Sequence, residues 1–209
     1  MKIKNILIIA NGARGSGPWL KALAKKHDYT LALDGGADSA LTAGITPDLT
    51  LGDLDSVSPA AKKKLGDSRL LQIPRQDNTD LEKGLNFAAY LKPQKVTIAN
   101  AAGGRIDFTL ANLMCVFNYT KKLNIVFESE EWRIYPIEAS RKFVCKKGSR
   151  VSLLPVGTCK GITLKNLKYP LNNTTLQPWQ PAVSNIALKN NFEVKIEKGK
   201  LLAVITSQP

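Results

Sequence analysis

The chain of 209 residues reads as an α/β domain with a largely parallel sheet, followed by a small antiparallel β-sandwich or barrel. Three observations carry this reading. Up to about residue 130, short apolar runs alternate with stretches whose apolar residues recur at helical spacing, the pattern of successive βα units. Beyond that point come short strand-like runs, about seven in number, punctuated by Gly148, Gly157, Gly199 and Asn172-Asn173, with no long helix. Acidic, glycine-bearing segments also fall just after predicted strands of the first half, at the carboxyl ends where open α/β sheets bind ligands. The two domains are placed at 1–130 and 131–209, the boundary falling between Glu128 and Pro136.

Each element has its own justification. Residues 4–10 form an apolar run and read as a buried strand. The run is too short for a signal peptide, and Asn11-Gly12 ends it without a small-residue cleavage pattern. Residues 18–26 place Trp19, Leu20, Leu23 and Ala24 at helical spacing. Residues 30–33 are a strand running into Asp34, and 37–43 a helix closed by Gly44. Residues 49–51 are a strand into Gly52. Ser58-Pro59 opens a helix, with serine as cap and proline in its first position. Residues 70–73 are a strand before Pro74. Residues 79–91 are a helix in which Thr79 and Glu82 have capping-box spacing. A strand at 96–99, a helix at 109–120 and a strand at 123–128 complete the first half. In the second half, strands are expected at 132–136, 141–145, 150–155, 161–167, 182–188, 192–196 and 201–206.

Composition narrows the function. The 44% hydrophobic and 22% charged content is that of a soluble globular protein. No stretch reaches the roughly 20 apolar residues of a membrane-spanning helix. Cys115, Cys145 and Cys159 form no CxxC pair, and His27 is the single histidine. Zinc and disulfide scaffolds are therefore not expected, and a reducing, cytoplasmic setting fits. The net charge of +13 comes from dispersed basic pairs without interleaved aromatic residues. That pattern suits a solvated surface that also attracts an anionic small substrate better than it suits nucleic acid.

Against this basic background, six aspartates are packed into Asp34-Gly35-Gly36-Ala37, Gly52-Asp53-Leu54-Asp55-Ser56, Asp77-Asn78-Thr79-Asp80 and Gly103-Gly104-Arg105-Ile106-Asp107. Grouped carboxylates beside glycine, arginine and lysine suit a divalent metal held together with a polyphosphate. Asp53 and Asp55, two apart on an extended segment, would face one way and share a hard cation such as Mg²⁺; a capped turn uses the same residues. Thr79 and Asp80 open a helix whose backbone N–H groups favour phosphate, with Lys83 on the face of Asp80; an ordinary capped helix with an internal ion pair is the alternative. Gly103 and Gly104 allow close backbone approach, and Arg105 offers a fork for phosphate oxygens; a turn with Arg105 paired to Asp107 is the alternative. Asp34-Gly35-Gly36 carries the same choice. The glycine-rich loop 11–17 has neither P-loop nor dinucleotide spacing and is a weak nucleotide-contact signal.

Taken together, these motifs resemble those of thiamin pyrophosphokinases. The likeness rests on Asp34-Gly35-Gly36-Ala37, Pro47-Asp48-Leu49 with Gly52-Asp53-Leu54-Asp55-Ser56, Gln76-Asp77-Asn78-Thr79-Asp80-Leu81-Glu82-Lys83, and Gly103-Gly104-Arg105-Ile106-Asp107 with Asn112. It continues through Ser152-Leu153-Leu154-Pro155, residues 161–171 and Ser184-Asn185, in the family's order. The resemblance implies a Rossmann-like α/β domain for nucleotide binding and catalysis, a β-sandwich domain for thiamin binding and dimerisation, and a homodimer with the thiamin site at the subunit interface. It implies that ATP and thiamin give thiamin diphosphate and AMP. It implies Mg²⁺ on Asp53, Asp55 and Asp80, with Asp107 close by. ATP and its phosphates would meet Asp34, Gly35, Gly36, Asp77, Asn78, Thr79, Gly103 and Gly104, with Lys83 and Arg105 offsetting charge. Ser184, Asn185 and Tyr169 would meet thiamin, Tyr169 standing where some members carry tryptophan. Phe108 stands where many bacterial members have histidine. Two other readings remain at this stage: a diphosphokinase for another alcohol such as a hydroxymethylpterin, and a basic nucleic-acid-binding protein.

Overall fold

The computed structural model describes residues 3–74 and 77–206. Gln76, part of the motif preceding the fourth helix, and Met1-Lys2 lie outside the described residues. The chain divides into two compact units, residues 1–130 and 131–209.

The first unit is a parallel sheet in the order β4-β3-β2-β1-β5-β6. Its strands are β1 (Asn5–Ile9), β2 (Tyr29–Leu33), β3 (Leu49–Gly52), β4 (Leu70–Gln72), β5 (Lys95–Ala99) and β6 (Ile125–Glu128). Between them run α1 (Gly17–Ala24), α2 (Gly36–Thr42), α3 (Pro59–Leu65), α4 (Asp80–Leu91) and α5 (Ile106–Cys115). Both faces are covered, which is why Ile6 to Ile9 are all fully buried. Leu7 and Ile9 pack with Leu20, Leu23 and Ala40 of α1 and α2. On the opposite face, Gly84 of α4 lets the helix settle onto Leu31 and Leu33, where a Cβ would come within 2.7 Å of Leu33 Cδ2.

The caps follow the expectations. Ser58 Oγ accepts from Ala61 N, with Pro59 at the first position of α3. Thr79 and Glu82 form the capping box of α4. One helix is shifted. It was expected at 109–120 but runs from Ile106 to Cys115 and continues as a 3₁₀ turn, Val116–Asn118. Thr109 resembles a cap in sequence, yet its hydroxyl turns back inside the helix, donating to Arg105 O at 3.2 Å and accepting from Gly103 N at 3.0 Å.

The second unit is an antiparallel β-sandwich. Its strands are β7 (Trp132–Ile137), β8 (Arg141–Val144), β9 (Arg150–Lys165), β10 (Thr174–Leu176), β11 (Ala182–Ile186), β12 (Asn191–Lys195) and β13 (Lys198–Thr206). The order is β7-β13-β9-β12-β8, with β10 and β11 also on β9. Two expected strands, 150–155 and 161–167, are one. β9 pairs with β13 through Val151 to Val156 and with β12 through Thr163 to Lys165, so it passes from one sheet to the other. Gly157 and Gly161, read in sequence as strand punctuation or boundary, are left-handed bends within it at φ 85° and 70°. The short β10 was not expected. Between the sheets Val151, Leu153, Ile162, Phe192, Val194 and Leu201 form the core.

Candidate active site

A cleft of about 660 Å³ opens at the carboxyl end of the parallel sheet, where strand order reverses around β1. Its walls come from segments that follow four strands. Asn11, Gly12 and Ala13 follow β1, Asp34 follows β2, Asp53, Asp55 and Ser56 follow β3, and Gly103, Gly104 and Arg105 follow β5. Thr79 and Asp80 join from the start of α4, and Phe108, Thr109 and Asn112 from α5.

Three carboxylates meet there. One oxygen from each of Asp34, Asp53 and Asp80 lies within 4.8 Å of the others. Backbone conformation sets up the meeting. Asp34 is left-handed at φ 46°, with its N–H on Leu51 O at 3.0 Å. Leu54 is left-handed at φ 65°, and its side chain is buried with Ala37, Val57 and Ala61. That turn removes the extended alternation that would have put Asp53 and Asp55 on one side. Asp53 therefore groups with Asp34 and Asp80. Asp55 lines the same cleft, exposed, and accepts from Ser56 Oγ at 2.9 Å. Gly52 keeps the carboxylates close, since a Cβ there would come within 3.1 Å of Asp34 Cβ and 3.4 Å of Asp80 Oδ1.

Asp34 is 4% exposed. Burial pushes its carboxyl above the usual range, a hydrogen bond from Ser56 opposes this, and the charges of Asp80, Asp55 and Asp53 push it further up. Lys83, also buried, donates to Asp80 Oδ1 at 2.9 Å. The expected ion pair on α4 is thus present, and it engages one of the three grouped carboxylates.

The two glycine loops are braced against each other. Gly12 N donates to Asn100 O at 2.7 Å and Ala13 N to Ala102 O at 3.1 Å. Gly15 N donates to Asn100 Oδ1 at 3.2 Å. A Cβ on Gly12 would lie 2.4 Å from Asn100 O, and one on Gly103 would lie 2.6 Å from Ala13 Cβ. At the rim, Arg105 and Asp107 form two hydrogen bonds, of 3.1 and 2.5 Å, with side chains 71% and 60% exposed. The Arg105 guanidinium lies 4.4 Å from the centre of the Phe108 ring. Its hydrogen bonds hold the Asp107 carboxyl below the ordinary carboxylate range.

Of the residues singled out in the sequence, the cleft thus gathers Asp34, Asp53, Asp55, Thr79, Asp80, Gly103, Gly104 and Arg105. Gly35 and Gly36 are not among its lining. Gly36 lets α2 approach β1, since a Cβ there would sit 2.2 Å from Ile9 O, and Gly35 packs on the cleft residue Asn11, whose Nδ2 a Cβ would meet at 2.5 Å. Asp77, Asn78, Lys83 and Asp107 stand beside the lining rather than in it. Asn100 was not foreseen. Its signal was an asparagine directly after a strand, a residue that tolerates the left-handed turn adopted there at φ 56°.

In the second unit, Tyr169, Ser184 and Asn185 are neighbours. Tyr169 is 56% exposed, with Lys168 Nζ 5.3 Å from the centre of its ring. Ser184 is exposed and left-handed at φ 56°, and its N–H donates to Ser152 Oγ at 3.1 Å. Asn185 differs from both, being buried at 5% exposure.

Comparison with known proteins gives the same division. Residues 20–127 match the family model for the thiamin pyrophosphokinase catalytic domain, and residues 135–201 match that for its vitamin B1 binding domain. A thiamine pyrophosphokinase of Bacillus subtilis is 25% identical over 97% of this chain and 98% of its own. Among solved structures, the thiamine pyrophosphokinase of Bacillus subtilis superposes with a TM-score of 0.86 at 24% identity, covering 99% of this chain and 100% of its own. A thiamin pyrophosphokinase family protein from Enterococcus faecalis gives 0.81 at 25% identity, covering 99% of each chain.

Proposed function

The chain belongs to the thiamin pyrophosphokinase family, and from that premise we propose that it transfers the pyrophosphoryl group of ATP to the hydroxyl of thiamin. The hydroxyl oxygen forms the new bond to the β-phosphorus, the bond from that phosphorus to the AMP oxygen breaks, and AMP leaves with the electron pair. The observation that carries the reading is the meeting of Asp34, Asp53 and Asp80 in a cleft of the unit that matches the catalytic domain.

These carboxylates fit a hard divalent cation. They offer oxygen donors only, within 4.8 Å of one another, and one of them is buried among like charges. Asp34, Asp53 and Asp80 would hold Mg²⁺, with Asp55 at the edge of the group. The ion would supply charge neutralisation on the phosphoryl oxygens. The protein does the remaining work by position. Lys83 holds Asp80, and the left-handed glycines 103 and 104 bring backbone close to the phosphates. Arg105 offers a guanidinium at the rim, freed for phosphate by exchanging its exposed partner Asp107. Tyr169 and Ser184 supply the thiamin site. A homodimer is supported by the apolar surface of α5, where Ile106, Leu110 and Met114 are 70%, 49% and 56% exposed. Three free cysteines, each with its thiol pushed up chiefly by burial, suit a reducing cytoplasm.

The test is AMP formation from ATP and thiamin. The wild-type chain is expected to require Mg²⁺, and Asp53→Ala to lower kcat by at least about 100-fold without unfolding the protein. Turnover that survives chelation of divalent metal, or an Asp53→Ala enzyme of near-wild-type rate, would overturn the metal assignment.

A further inference from the structure

We infer that Asn185 is a positioning residue that acts on thiamin only through Tyr169. The inference rests on the thiamin-site reading above and deepens it. Tyr169 lies in the segment that follows β9, outside the described strands and two residues past the isolated bridge between Leu167 and Ala187. The backbone N–H and C=O of Tyr169 itself are held by one buried side chain. Asn185 Nδ2 donates to Tyr169 O at 2.6 Å, and its Oδ1 accepts from Tyr169 N at 2.9 Å. The same oxygen accepts from Ile186 N at 2.9 Å. Two bonds fill the acceptor capacity of that oxygen, and only 5% of the residue is exposed. A ligand donor therefore finds no free acceptor on this amide, and burial keeps its second Nδ2 proton from a ligand acceptor, whereas the ring it anchors is 56% exposed.

The neighbouring backbone is fixed in the same way. Ser184 is left-handed at φ 56° and tied to Ser152 Oγ, and Lys168 N donates to Ile186 O at 2.9 Å. The serine–asparagine pair thus divides its labour. Ser184 is presented to solvent, and Asn185 points inward to grip the aromatic loop.

The experiment is a double-mutant cycle on the full-length enzyme together with amide exchange. Asn185→Ala is expected to raise the thiamin KM about tenfold with kcat within about twofold, the signature of lost uniform binding. In a Tyr169→Ala background the same change is expected to move KM by less than about twofold. The Tyr169 amide of the unliganded Asn185→Ala protein is expected to exchange at least about tenfold faster, while amides in the core of β9 do not change. The near-isosteric Asn185→Asp sets a carboxylate oxygen against Tyr169 O and carries the same test if alanine lowers the folded yield. Additive KM effects would overturn the inference, because Asn185 would then touch thiamin itself. Unchanged exchange at Tyr169 would overturn it independently of any activity. If Tyr169→Ala alone leaves the thiamin KM unchanged, the thiamin-site reading fails and this inference fails with it, while the exchange result still reports whether the clamp exists.

Discussion

Single residues in this molecule are often set by backbone conformation more than by their own chemistry. The i, i+2 spacing of Asp53 and Asp55 suggested a shared cation, yet the left-handed Leu54 between them sends Asp53 toward Asp34 and Asp80. Sequence gave the residue types of the acidic group but not its membership, because no local rule announces a left-handed leucine. Its burial against α2 and α3 is a tertiary effect. His27 shows how one residue can report on the fold. Its ring nitrogens lie 2.8 Å from Leu23 O and 2.8 Å from the buried Thr97 Oγ1. Burial holds its pKa below the ordinary value, with Lys95 acting in the same sense and the Leu23 carbonyl, Glu128 and Asp28 opposing. The folded state therefore resists a proton that the unfolded chain accepts near pH 6.5. Stability from this site is full above that pH and declines as pH falls below it. Between about pH 7.5 and about pH 5.5 the wild-type melting temperature is expected to drop further than that of His27→Gln. An equal drop in both proteins would remove His27 as the cause.

Among the elements, those with explicit end signals were legible. Ser58-Pro59 and the Thr79–Glu82 box mark α3 and α4 in the sequence and cap them in the structure. Thr79→Ala is expected to cost about 0.5–2 kcal/mol and to lower the melting temperature by about 2–4 °C for each kcal/mol. Asp80 is the first residue of α4, so kcat is expected to fall as well; a variant with unchanged stability and rate would show the cap to be dispensable. The misread elements share one cause. Thr109 has the composition of a cap, and Gly157 and Gly161 the composition of breaks, but each is overridden by a partner: Gly103 and Arg105 for the threonine, β13 and β12 for the strand that carries the glycines. Among the described residues, the three-residue β10 pairs with β9, at Ile162 and Cys159, and it is too short to show a periodicity.

At the scale of the whole molecule, charge and chemistry are unevenly distributed. Thirteen of the 17 acidic residues lie in residues 1–130, while residues 139–192 contain nine Lys and Arg and no Asp or Glu. The alternation of βα units and the later run of short strands made the two-part architecture readable, since each follows from how a sheet buries its faces. What stayed hidden was the pairing order, which depends on contacts remote in sequence. β9 is the shared partner of β10, β11, β12 and β13, so the two sheets are expected to open together. Native-state amide exchange is expected to give Val151 and Leu164 opening free energies within about 0.5 kcal/mol of each other, and clearly separate values would mean that the sheets unfold one at a time. The order of synthesis gives this arrangement a further meaning. β13 is the last described strand to leave the ribosome, yet it lies between β7 and β9 and pairs with both. Two earlier strands must wait, unpaired along that edge, until it arrives. Strands β8 to β12 can pair among themselves before it does, but the β7-β13-β9 ladder closes last. That closure is long-range, and it covers the apolar edges that β7 and β9 leave open until β13 joins them.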